Sequence, residues 1–138
     1  MSMELNDSLP IRLVLLDNDD VARSRSVARL EQPPELEIVG DAADSTDALR
    51  LTRELQPDAV LVESHLQDKR GLEAIALLSS IDEAERPAVV AYLEILHRGT
   101  WPQARAAGAD DLLLKEMPTQ SIARELRSIV NHVRSDAL

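Results

Sequence analysis

The sequence predicts an α/β domain in which a five-stranded parallel sheet is covered by helices on both faces. Three observations predict it. Short apolar runs of about four to six residues recur along the chain, each run is followed by a stretch with helical spacing, and the runs are mostly leucine or β-branched residues. With 138 residues, 44% of them hydrophobic, the chain has the size and apolar content of one domain and no room for a second of ordinary size.

The predicted strands are residues 11–16, 36–39, 59–62, 88–92 and 112–114. A first helix should start at Asp19 or Asp20, either of which can cap it, burying Val21, Ser24 and Ala28 before Pro33 and Pro34 end it. Ser45 or Thr46 opens a second helix with Ala48, Leu51 and Leu55 inward, and Pro57 separates it from the third strand. Leu72, Ile75 and Leu78 mark a third helix starting near Gly71. Thr100, Trp101 and Pro102 read as a cap and first turn of a short fourth helix that ends before Gly108. The last helix carries the clearest apolar stripe of the chain, Ile122, Leu126, Ile129, Val130 and Val133. Residues 1–10 read as a disordered lead-in, 11–135 as the domain and 136–138 as a tail.

Composition narrows the function. A formal net charge of -10 repels nucleic acid and anionic membrane, so direct DNA binding by this domain is disfavoured. The absence of cysteine excludes disulfides, thiolate metal sites and cysteine nucleophiles, and suits a reducing cytoplasm. No signal-peptide pattern opens the chain, and the apolar runs are far too short to span a membrane.

In an open α/β sheet, ligands gather outside the carboxyl ends of the strands. Those ends carry Asp17, Asn18 and Asp19 after the first strand, Glu63 after the third, Tyr92 or Leu93 after the fourth and Lys115 after the fifth. Acidic groups and one amine therefore converge on one rim. Asp17, Asn18, Asp19 and Asp20 have a plainer reading as helix caps, and Glu63 with Lys115 as a structural ion pair.

The segments IRLVLLDNDD, PDAVLVESHLQDKRGLE, RPAVV and AGADDLLLKE together resemble the receiver domain of bacterial response regulators, from Ile11 to Val133. The resemblance is to the branch whose receivers precede helix-turn-helix effectors. It implies a flavodoxin-like, doubly wound sheet with strand order 2-1-3-4-5. Carried over by position, the family's acidic pair falls on Asp17 and Asn18, its phosphorylated aspartate on Glu63 and its lysine on Lys115. The strand-four hydroxyl falls on Tyr92 or Leu93, and the aromatic switch of strand five on Leu112. Glu116 follows the lysine where many members have proline.

These departures change the chemistry the resemblance implies. Glu63 carries its carboxylate one bond, about 1.5 Å, further out than aspartate, which removes the in-line geometry for phosphoryl transfer. Asn18 takes one charge from the metal site, leaving Asp17, with Asp19 and the His65 carbonyl, for a weakened magnesium ion. No cofactor is required on this reading. Glu63 can instead reach Lys115, giving a fixed, phosphorylation-independent state, although one carboxylate imitates a phosphoryl group imperfectly.

His65, His97 and His132 show no ligand or catalytic spacing and read as surface residues. Arg23, Arg25 and Arg29 read as a solvated face of the first helix. Trp101 either anchors the fourth helix or faces a partner. The first functional reading is a binding module that meets a protein partner or a second copy through helix 4, strand 5 and helix 5. Its interface candidates are Trp101, Leu112, Ile122 and Arg124, and a histidine kinase is a candidate partner. The second reading makes it the receiver of a transcriptional regulator whose DNA-binding domain lies beyond Leu138. An enzymatic reading lacks a glycine-rich phosphate loop and a nucleophile, with 4 glycines in all.

Overall fold

The computed structural model describes residues 9–63, 69–82, 86–94 and 98–136. In chain order they form β1 (Ile11–Leu16), α1 (Asp20–Leu30), β2 (Leu36–Ala42), α2 (Ser45–Leu55), β3 (Ala59–Glu63), α3 (Lys69–Ser79), β4 (Ala88–Leu93), α4 (Thr100–Ala107), β5 (Asp111–Leu114) and α5 (Thr119–Asp136). The strands form one sheet in the order β2-β1-β3-β4-β5, and every pairing is parallel. All five expected strands are present, with β2 running three residues beyond its predicted end and β3, β4 and β5 each gaining one residue.

Because successive strand residues point to opposite faces, the apolar runs build two cores at once. Leu13, Leu15, Leu61, Val90 and Leu113 pack on one face with Leu30 of α1 and with Ile122, Leu126 and Val130 of α5. Val14, Leu16, Val60, Val62, Val89 and Ala91 pack on the other, with Ala48 of α2, Ile75 and Leu78 of α3 and Ala104 of α4. The stripe read along α5 is the buried one, with Val133 packed partly against the same core.

The buried face of α1 differs from the expectation. Val21, Ser24 and Ala28 are exposed, and the inward residues are Ser26 and Leu30. The reason is that Arg23 and Arg29, read as a solvated face, turn toward the sheet and spend their donors on carboxylates and main-chain carbonyls. A polarity pattern cannot reveal an inward face built around a satisfied guanidinium. Arg25 is exposed as expected.

The helix starts are set by side-chain caps. Asp19 accepts from the amides of Val21 and Ala22, both at 3.0 Å, and so caps α1. For α2 the cap is Asp44, which accepts from Asp47 N at 2.8 Å, one residue ahead of the expected Ser45. The third helix opens at Lys69, two residues before Gly71. Gly99 caps α4, so Thr100 is its first residue, and Gly108 ends it with φ of 118°. A Cβ on Gly108 would lie 2.2 Å from Ser79 Oγ, so the left-handed turn and the close approach of α3 both demand glycine here.

The expected lead-in up to residue 8, and with it most of that segment, lies outside the described residues, as do His65, His97 and the last two residues of the tail. Among the described residues no helix is long and apolar enough to cross a membrane.

Candidate functional site

The order of the strands places β1 and β3 side by side, with β2 on one flank and β4 on the other. Their carboxyl ends bring Asp17, Glu63, Tyr92 and Lys115 together. Asp17 follows β1 and is 2% exposed, while Glu63 ends β3 and is 7% exposed. Glu63 lies opposite Tyr92 in the pairing of β3 with β4. Lys115 follows β5, its amide held by Leu93 O at 2.6 Å.

The Lys115 ammonium makes an ion pair with Glu63 Oε2 and lies 3.6 Å from Asp17 Oδ2. Its Nζ is also 5.6 Å from the centre of the Tyr92 ring. Burial pushes the Lys115 pKa down, but the hydrogen bond and charge of Glu63, with Asp17 and Glu94 behind, outweigh it and hold the amine above its ordinary value. Tyr92 is 1% exposed, and burial raises its phenol, opposed by the nearby charges of Arg29 and Lys115. The arrangement is a nearly dry 2:1 set of carboxylates and amine, in which Lys115 stays charged through the neutral range.

Arg23 closes the side of the site next to α1. Its guanidinium donates to Asp17 O at 2.8 Å, to Asp41 Oδ1 at 2.9 Å and to Asp20 Oδ1 at 2.8 Å. It ties β1, β2 and the first turn of α1 into one unit. A cleft of about 110 Å³ opens at the same rim, lined by Asp17, Asn18, Asp44, Ser45, Glu63 and Arg70 among others. This cleft lies where strand order reverses, the usual place for a ligand in such a sheet.

A family profile described as the response regulator receiver domain matches residues 13–127 of this chain. The chain belongs to the response regulator receiver family. Curated relatives of the receiver include the transcriptional regulatory protein LiaR of Bacillus subtilis, 29% identical over 118 residues that make up 86% of this chain and 55% of that protein. A protein-glutamate methylesterase/protein-glutamine glutaminase of Anaeromyxobacter dehalogenans is 33% identical over 91% of this chain and 37% of its own length. The chain thus spans about half or less of the curated relatives it matches. Among solved structures, a LuxR-family two-component response regulator from Aurantimonas superposes with a TM-score of 0.75 at 24% identity, covering 89% of this chain and 86% of that one. The signal receiver domain of a NarL regulator from Mycobacterium tuberculosis gives 0.73 at 24% identity, covering 89% and 98%. At these identities the structures establish the fold alone.

Within this receiver domain the residues expected to hold magnesium are otherwise engaged. Asp17 Oδ1 accepts from Asp19 N at 2.9 Å and its Oδ2 faces Lys115. Asp19 spends Oδ1 on capping α1, and Glu63 faces Lys115. Among the described residues no group of three or more carboxylate or histidine side chains is set to share a metal ion. The carboxylates of Asp17 and Glu63 thus face Lys115, and His65 lies outside the described residues. Asn18 is exposed at the rim.

The interface candidates divide. Arg124 is exposed, Trp101 and Leu112 are half-buried and pack partly on the α2–α4 core. Ile122 is a correction, because it is 0% exposed and cannot touch a partner while the receiver domain is folded. A stripe residue on a helix belongs to the core before it belongs to an interface. Sequence reasoning also missed Arg23 and Arg29. For Arg23 a signal existed, a guanidinium one turn after the acidic run 17–20. Arg29 left none, since its acceptors are carbonyls 86 and 88 residues away.

Proposed function

We propose that this chain is a receiver-like signalling module that acts through protein contacts and is not phosphorylated in the usual way. The observation that carries the reading is the buried ion pair of Glu63 with Lys115, set beside Asp17 at the carboxyl rim of the sheet. By the resemblance, Glu63 stands at the phosphoacceptor position and Asp17, Asn18, Asp19, Tyr92 and Lys115 line the pocket. A glutamate already seated against the amine has its nucleophilic oxygens neutralised and its carboxylate advanced by one bond, so the geometry favours a standing negative charge over phosphoryl transfer. Magnesium is not required for that state, because Lys115 supplies the counter-charge.

The module is read as a non-enzymatic one, since its pocket offers a standing ion pair and no activated nucleophile. A methylesterase of Anaeromyxobacter is also among its relatives, but the match spans 37% of that protein. The partner is a protein, or a second copy, meeting the face of α4, β5 and α5, where Trp101, Leu112 and Arg124 are accessible in part or whole. A histidine kinase remains a candidate partner through the receiver fold. The second reading, a receiver joined to a DNA-binding domain in the natural protein, is favoured by the match to LiaR, of which this chain spans 55%.

The test is incubation with a small phosphodonor and magnesium, followed by intact-mass measurement. The chain should keep its unmodified mass, and a stable adduct on Glu63 would overturn the reading. Glu63→Asp is the companion: recovery of an adduct would show that the rest of the pocket retains transfer chemistry, and that the glutamate alone blocks it.

A further inference from the structure

Arg29 lies in the last turn of α1, on the side facing the sheet, and reaches across to the loop after β5. Its Nη1 donates to the carbonyl oxygen of Lys115, and its Nη2 to that of Met117 at 2.5 Å. Both acceptors belong to one short segment, the β5–α5 connection, which carries the amine of the site. The Lys115 ammonium lies 5.6 Å from the centre of the Tyr92 ring. Tyr92 is almost wholly enclosed and so cannot swing away into solvent. Arg29 thus holds the main chain of the segment that carries Lys115.

We propose that Arg29 is a positioning residue of the site, a bracket from α1 that seats Lys115 on Glu63 and keeps the β5–α5 connection in one place whatever charge residue 63 carries. This connection joins the pocket to α5. Here the connection is fastened from the opposite side, by an arginine fork whose two donors fit two carbonyls at once. A lysine at position 29 would keep the charge and lose the fork. The inference takes Glu63 and Lys115 as the functional pair, yet it does not depend on whether Glu63 accepts a phosphoryl group.

Backbone hydrogen exchange at Glu116 and Met117 tests it, in the whole chain, with Arg29→Met and Arg29→Lys, each alone and combined with Glu63→Gln. In the unaltered Arg29 background, Glu63→Gln should change these rates by no more than about twofold, whereas Arg29→Met should raise them about tenfold and make them respond to Glu63→Gln. Arg29→Lys should fail to restore protection. Equal acceleration by Glu63→Gln with Arg29 intact would overturn the bracket, and that measurement stands even if an Arg29 variant folds poorly.

Because the phosphodonor experiment reads Glu63 and this one reads the main chain of the β5–α5 connection, failure of either leaves the other standing.

Discussion

Glu63 and Lys115 show what a single added bond does at a buried site. The glutamate spans the gap to the amine, and each charge is partly desolvated, so either one left alone would be costly. The pH dependence follows from the raised Lys115 pKa. A group raised above its unfolded value of 10.5 contributes stability in full below that pH, and loses it as pH climbs through the higher folded value. Urea denaturation of the chain and of Lys115→Met should therefore show the parent more stable near neutrality, with the gap narrowing as pH rises above about 10.5. A gap that stays constant across that range would mean the amine contributes packing alone.

Elements owe their placement to caps and to the inward turn of two arginines. Asp19 satisfies two otherwise unpaired amides at the start of α1, and its carboxylate also suits the positive end of the helix. Asp19→Ala should cost about 1 kcal/mol in thermal or chemical unfolding. If Asp19 chiefly served a metal, its removal would leave stability without magnesium unchanged, so the measurement separates the two roles. The five strands were legible as apolar runs because both faces of the sheet are covered, and the helix starts were legible to within two residues as capping residues and prolines. The inward face of α1 was not legible. Exposed Val21 and inward Arg23 and Arg29 invert the usual code, since the arginine acceptors lie on β1, β2 and the β5–α5 connection, distant in sequence.

For the whole molecule, the interface candidates on the α4–β5–α5 face differ in accessibility. Arg124 is exposed and Trp101 and Leu112 are half-covered, while Ile122 is lost to the core. A dimer built on this face should respond to Trp101→Ala and ignore Val21→Ala in the first turn of α1. Light scattering across a concentration series checks it, and a chain that stays monomeric up to about millimolar concentration would place the partner outside a second copy. The net charge of -10 adds mutual repulsion between copies, so rising salt should favour association if it occurs.

By itself the sequence determined the class of fold, the number and order of the strands and helices along the chain, and the convergence of Asp17, Glu63 and Lys115 on one rim. Those follow from local periodicity, from turn-forming residues and from the rule that parallel strands end on one side. Only the tertiary structure decided that Tyr92 stands opposite Glu63, that Lys115 pairs with Glu63 beside Asp17, and that Arg29 grips the loop behind the amine. Those depend on register and on contacts between residues far apart in the chain, which no local pattern encodes.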